Sequence, residues 1–144
     1  MSTNLDTPHA IYFGWYVVAA TFVLLFAGFG CAYAFGAFFV PLEKDFGATR
    51  AQVSAVFSNA IALVFVTGAF SGPLADKIGP RATAIGGSLM LASGLFACSL
   101  ADTLPKVTLY FSIGVGLGIG FIYVPSITAV QRWFQTKRGL ASGI

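Results

Sequence analysis

The sequence predicts an all-α integral membrane protein with four transmembrane helices and the start of a fifth. Three observations carry this expectation. The 144-residue chain is 57% hydrophobic and only 9% charged, whereas a water-soluble domain carries about 25% charged residues. Asp, Glu, Lys and Arg are absent from residues 7–42, 51–75, 82–101 and 107–131, and each run reaches the roughly 20 apolar residues that cross a hydrocarbon core about 30 Å thick. Between the runs lie clusters of Gly, Pro and charged residues, such as GPLADKIGPR at 72–81. A helix satisfies its own backbone hydrogen bonds, which is the main demand that lipid makes on a chain.

The elements follow in order. Residues 1–10 form a polar tail without the basic stretch of a secretory signal, and the apolar run after it is too long for one. Residues 11–144 then form one membrane unit. The first helix is expected at about 11–40. At 1.5 Å per residue it is roughly 45 Å long, so it tilts or projects from the bilayer. Tyr12, Trp15 and Tyr16 near its start suit the aromatic belt of the membrane interface. Pro41 and the charged VPLEKDFG stretch are expected to end it. The second helix, 51–75, has Thr49 as N-cap with Gln52 as its reciprocal capping partner. The third, 80–101, opens on Pro80 at a tolerated first-turn position. Asp102, Thr103 and Pro105 mark the turn into the fourth, 105–133, with a bend expected near Pro125. GLASGI, at the end of the chain, opens a new apolar run, so a fifth helix is expected to begin at about 138 and the chain to be the N-terminal part of a longer protein.

Several functions are excluded by composition. Cys31 and Cys98 fall inside apolar runs and read as small packing residues, and His9 has no Cys or His near it, so no metal site is expected. The spans contain no Ser–His pair and no paired carboxylates, so neither catalytic residues nor a cofactor are expected. No basic cluster with interleaved aromatics suggests nucleic acid as a partner. Basic residues favour a cytoplasmic N-terminus. The loops then inside carry Lys77, Arg81, Arg132, Lys137 and Arg138, and those outside carry Lys44, Arg50 and Lys106.

The GPLADKIGPR stretch is read as the cytoplasmic loop between helices 2 and 3. Gly72 permits close helix approach, Gly79 can take a positive φ at a helix end, and Asp76 suits the positive N-terminal end of a neighbouring helix. Gly72, Leu74, Ala75, Asp76, Lys77, Gly79 and Arg81 match the pattern G-x-L-A-D-[RK]-x-G-x-[RK]. The stretch thereby resembles the signature loop of the major facilitator superfamily of secondary transporters. Pro80 falls on an open position of that pattern, where members of the superfamily carry a further basic residue, a departure that takes one charge out of the loop. The resemblance implies the first helices of a twelve-helix fold in two halves. It also implies that this loop helps to lock the two halves together in the outward-open state.

A second stretch, WFQTKRGLASGI, looks like the pattern at the start of helix 5 in the monocarboxylate porters of that superfamily, with Phe134, Lys137, Arg138, Leu140, Ala141 and Gly143 matching. FGWYVV and YAFGAFFVPL in the first helix also have the look of this branch. The resemblance implies a multi-pass plasma or bacterial inner membrane protein that moves a small organic anion such as a monocarboxylate, with protons or a counter-anion. Two departures stand out. Ala37 lies where mammalian members carry a helix 1 lysine, and Tyr110 where many drug antiporters carry a helix 4 arginine. A positive partner for an anion is therefore expected from helices beyond Ile144.

An internal echo supplies the candidate substrate-lining residues. GFGCAY, ending at Tyr33, and GIGFIY, ending at Tyr123, both read G-x-G-x-x-Y. Helices 1 and 4 are equivalent elements of the inverted repeats in this superfamily. Tyr33 and Tyr123 are thus expected to face a central substrate, with ordinary glycine packing as the plain alternative. Asn59, an amide within the second span, should face the bundle or a wet cavity. The fifteen phenylalanines identify no site. The rival reading is a small four-helix membrane protein, complete at this length, that serves as an oligomeric or partner-binding subunit through a glycine-rich fourth helix.

Overall fold

The computed structural model describes residues 8–133, with side-chain surroundings for residues 14–131. The chain forms α1 (Pro8–Phe46), α2 (Arg50–Ile78), α3 (Pro80–Ser99), α4 (Leu104–Phe111), a π-helical segment (Ser112–Leu117) and α5 (Gly118–Trp133). The last three elements follow one another without a break and make one span, so among the described residues four spans are long and apolar enough to cross a membrane. The expected start of the fifth helix and residues 1–7 lie outside the described residues.

Pro41 does not end α1. It sits inside the helix, which runs on to Phe46. Proline removes one N–H and crowds the preceding turn, but the LEKDF that follows is compatible with helix and continues it. The stop is Gly47, whose φ is 57°. The Ala48 N–H donates to the Glu43 carbonyl at 3.1 Å, which closes a glycine-based helix end. Glu43, Lys44 and Asp45 are therefore helical, and only residues 47–49 connect α1 to α2.

α2 begins with the expected capping box. The Thr49 N–H donates to Gln52 Oε1 at 2.9 Å and the Gln52 N–H to Thr49 Oγ1 at 3.4 Å. Thr49→Ala removes one half of this exchange. It is expected to lower stability by about 1 kcal/mol, measured as a lower thermal midpoint of the detergent-solubilised protein. The Arg50–Glu43 pair across the same turn, 3.5 Å with Arg50 largely exposed, adds little.

The stretch 72–81 is also more helical than a loop. Gly72 to Ile78 belong to α2, Pro80 and Arg81 open α3, and Gly79 alone joins the two. Its φ of 91° is open to glycine and strained for any other residue. Its N–H donates to the Ala75 carbonyl at 2.9 Å, and its own carbonyl accepts from the Thr83 N–H and hydroxyl at 3.2 and 2.9 Å. One residue reverses the chain without leaving its own backbone groups unpaired.

The fourth span lies in the middle, with α1, α2 and α3 packed around it. Its apolar window is 56% buried, against 17%, 28% and 17% for the first three spans. Its glycines decide how. A Cβ on Gly118 would lie 2.9 Å from the Gly87 carbonyl oxygen of α3, and one on Gly120 would lie 2.5 Å from the Thr67 Cβ of α2. Gly114 meets Gly94 of α3 backbone to backbone, while Gly116 meets Ala60 and Leu63 of α2. One glycine pair therefore seats α3 and the other seats α2. Lipid is as apolar as a leucine side chain, so close van der Waals contact of this kind supplies much of the association between membrane helices. The free glycine face required by the partner-binding alternative is thus already occupied.

Val53, Val56, Ala60, Phe35, Phe111, Val115 and Ile119 form the core, with Cys31 and Cys98 packed at its edge as free thiols. Phe22, Phe26, Phe65, Phe70 and Phe96 face outward, as expected of side chains that meet lipid. Trp15 and Tyr16 are exposed as well.

Candidate functional site

The two echoed tyrosines come together through a residue that lies between the glycines of the first echo. Phe29 stacks on Tyr33 at 6.4 Å between ring centroids and meets Tyr123 edge-on at 5.8 Å. Phe29 and Tyr33 are one helical turn apart on α1, so their rings fall on one face. Gly28 lets α5 close on that face, where an added Cβ would lie 3.4 Å from Ile119 Cγ1. Tyr123 enters from α5 and Phe57 from α2, the latter 6.2 Å from Tyr33.

Tyr33 is 71% and Tyr123 39% exposed, and neither hydroxyl has a hydrogen-bond partner among the described residues. The site therefore offers two free phenol hydroxyls on an apolar aromatic floor. Each can donate to an oxygen of a carboxylate or accept from a hydroxyl. The floor continues beneath the site from Phe57 to Phe35 at 6.0 Å, and from Phe35 to Phe111 at 4.9 Å. These contacts tie the site to the core and to three of the four spans. Aromatic pairs of this kind add about 0.5–1.5 kcal/mol each beyond area burial.

Asn59 does not join this group. Two residues from Phe57 on α2, it points to the other side of the helix. It lines a hollow between α2 and α4 instead. The glycines of the second echo, Gly118 and Gly120, serve contact with α3 and α2 and leave no cavity of their own.

The residues of the 72–81 stretch lie away from the tyrosines, at the opposite end from the turns 47–49 and 100–103. Gly72 packs on α5, where its Cβ would meet Val124 Cγ1 at 3.7 Å. Leu74, Asp76, Lys77 and Arg81 are exposed. Lys77 stands in the last turn of α2, where a cation suits the negative end of the helix dipole. Phe134, Lys137, Arg138 and Gly143 lie outside the described residues.

Phe29 and Phe57 do not stand out in the sequence, since most of its phenylalanines read as lipid-facing side chains or core filler. The signal that could have found Phe29 was its spacing of four from Tyr33. Ser112 was missed too. It is buried at the junction of α4 and the π-helical segment, and its hydroxyl has no partner among the described residues.

Comparison with known proteins agrees with this architecture. The chain is 36% identical to monocarboxylate transporter 1 of Bos taurus over 144 residues, covering 96% of this chain and 28% of that protein. It is 34% identical to monocarboxylate transporter 3 of Mus musculus over 133 residues, covering 91% of this chain and 27% of the relative. It is 31% identical to MFS-type transporter 1 of Ophiocordyceps sp. (strain BCC 1869) over 139 residues, covering 95% and 31%. The chain thus spans less than a third of the length of these relatives. The family model of the Major Facilitator Superfamily matches residues 13–144. With four membrane-spanning helices packed through paired glycines and a family match over nearly its whole length, the chain belongs to the Major Facilitator Superfamily.

Proposed function

We propose that this chain is the N-terminal part of a secondary active transporter that carries a small organic anion, a monocarboxylate, across a cell membrane. The observation that carries the reading is the pair of exposed tyrosines, Tyr33 and Tyr123, whose rings both contact Phe29 and come from two different spans. Two donors can engage both oxygens of one carboxylate while the aromatic floor takes a short alkyl chain. The relatives named as monocarboxylate transporters support this substrate class.

Transport runs by alternating access, with proton symport or anion exchange supplying the drive. Substrate shifts the inward–outward balance only through contacts that differ between the two states. No lysine or arginine of the described spans reaches the tyrosines, so the positive partner comes from the remaining helices of the longer protein. The N-terminus and the 72–81 stretch lie on the cytoplasmic side of a plasma or bacterial inner membrane. There Asp76, Lys77 and Arg81 govern the outward-open state.

The test is uptake of labelled propionate and lactate by the full-length protein in vesicles, with and without a pH gradient. Tyr33→Phe and Tyr123→Phe are each expected to raise KM about tenfold, since a hydrogen bond to a charged group contributes about 1.5–3 kcal/mol. Asp76→Asn is expected to slow turnover and leave affinity nearly intact. Absence of uptake of any monocarboxylate overturns the substrate reading. Unchanged turnover in Asp76→Asn overturns the gating role alone.

A further inference from the structure

A groove of about 640 Å³ lies between α1 and α3, with α5 as its floor. α1 and α3 barely touch each other, because each packs on α5 instead. The groove belongs neither to the tyrosine site nor to the hollow that Asn59 lines. Val17 and Leu24 of α1 and Ile85 and Leu89 of α3 make its apolar walls, and Ile85 and Leu89 are exposed. Arg81, in the first turn of α3, stands at the end that carries the 72–81 stretch.

Three polar side chains come level at that end. α3 and α5 run antiparallel, with Gly94 meeting Gly114 and Gly87 meeting Gly118 and Ile122. The same register sets Ser126 beside the first turn of α3, where Arg81 lies. α1 crosses this part of α5 with Gly28 against Ile119 and Val18 against Val130, which sets Thr21 near Ser126. Thr21, Arg81 and Ser126 all line the groove.

Their unmet bonds choose the ligand. Thr83, Ser88 and Thr128 each donate a hydroxyl to a backbone carbonyl one turn earlier at 2.9 Å. Ser126, only 5% exposed, has no hydrogen-bond partner among the described residues, and its Oγ is not sealed off as Ser112 Oγ is. An unpaired hydroxyl at that depth is costly, so it calls for an acceptor. Arg81 has no ion pair among the described residues, and no Asp or Glu is among those that line the groove. The first backbone bond of α3 runs from the Thr83 N–H to the Gly79 carbonyl, and no side chain caps the helix. The N–H groups of Arg81 and Ala82 are therefore open as well. Donors and one cation face a long apolar slot, which asks for an anion with a hydrocarbon chain.

We propose that this groove binds one anionic phospholipid of the cytoplasmic leaflet. The phosphate meets the fork of the Arg81 guanidinium, whose flexible stem reaches outward to headgroup level. The start of α3 adds open N–H groups where an anion is favoured. Ser126 donates to an ester carbonyl of the glycerol, one layer deeper, and an acyl chain lies between the walls of α1 and α3. A zwitterionic headgroup would bring an ammonium that finds no carboxylate on the groove. Basic pockets between membrane helices on the cytoplasmic side suit anionic headgroups in this way. The inference draws on the cytoplasmic placement of the 72–81 stretch and is independent of the substrate.

The test uses the full-length protein, released from vesicles of mixed phosphatidylglycerol and phosphatidylcholine, with the lipid it retains read by native mass spectrometry. Phosphatidylglycerol is expected to be retained in preference to phosphatidylcholine. Arg81→Gln should weaken phosphatidylglycerol about tenfold and abolish the preference. Lys77→Gln removes an equally exposed cation that does not line the groove, and should leave the preference in place. Ser126→Ala should weaken both lipids about fivefold, because both carry the ester carbonyl. It removes only an unpartnered hydroxyl, so its thermal midpoint should not fall. No preference for phosphatidylglycerol overturns the proposal, as it would if a helix of the longer protein filled the groove. Equal losses in Arg81→Gln and Lys77→Gln also overturn it, since they mark diffuse surface charge. Uptake of propionate by the same wild-type preparation reports on the transport reading separately.

Discussion

Gly94→Val is expected to prevent the bundle from holding together. A Cβ at Gly94 falls on the Cα of Gly114 and lies 3.0 Å from its nitrogen and 3.1 Å from the Tyr110 carbonyl oxygen. Backbone meets backbone there, so no rotamer change relieves the clash. Overpacking a close contact costs about 1–3 kcal/mol where side chains can yield, and more where they cannot. α3 must then leave the π-helical segment, and the neighbouring contact between Gly87 and Gly118 opens with it. Thermal unfolding of the full-length protein in detergent reads the effect, with Gly30→Ala and Gly86→Ala as controls. Neither control site has an atom within 4 Å of an added Cβ. A Gly94→Val protein that melts with the wild type would show that α3 does not cross the fourth span here.

Phe29→Ala is the second large effect, this time on transport. The ring touches both tyrosines, at 6.4 and 5.8 Å. Its loss removes two aromatic contacts of about 0.5–1.5 kcal/mol each and frees both rings to leave the site. Transport efficiency is expected to fall about tenfold to a hundredfold. Phe29→Leu keeps volume without ring geometry and should recover stability but only part of the activity. A purely structural phenylalanine would behave otherwise: leucine would restore both together. Uptake in vesicles, paired with the thermal midpoint of each variant, separates the two outcomes.

Much of the fold was legible because lipid is an unforgiving solvent. Charge-free runs long enough to cross it declare themselves, and four such spans are present among the described residues. Turn chemistry was legible too. Thr49 and Gln52 form their box because both partners lie within one turn, and Gly79 takes its positive φ because no other residue does so without strain. The end of α1 was misread for a related reason. Pro41 is a strong local signal, but Gly47 with its closing hydrogen bond from Ala48 is the actual stop.

The candidate site was only partly legible. Repetition of G-x-G-x-x-Y pointed to Tyr33 and Tyr123, yet nothing in it showed that Phe29 lies between them or that Asn59 faces elsewhere. In a water-soluble helix the polar face marks what is outside and the apolar face what is inside. In a membrane both faces are apolar, so Phe29 in the site and Phe26 facing outward look alike in sequence. By itself, then, the sequence determined the number of spans, their ends where caps or Gly79 mark them, and the kinship of the chain. Those depend on hydropathy and on backbone geometry within a few residues. Only the tertiary structure decided which glycine pair seats which helix, which phenylalanine holds the tyrosines, and which serine is left without a partner. Those depend on contacts between residues far apart in the chain, where close fit rather than polarity makes the choice.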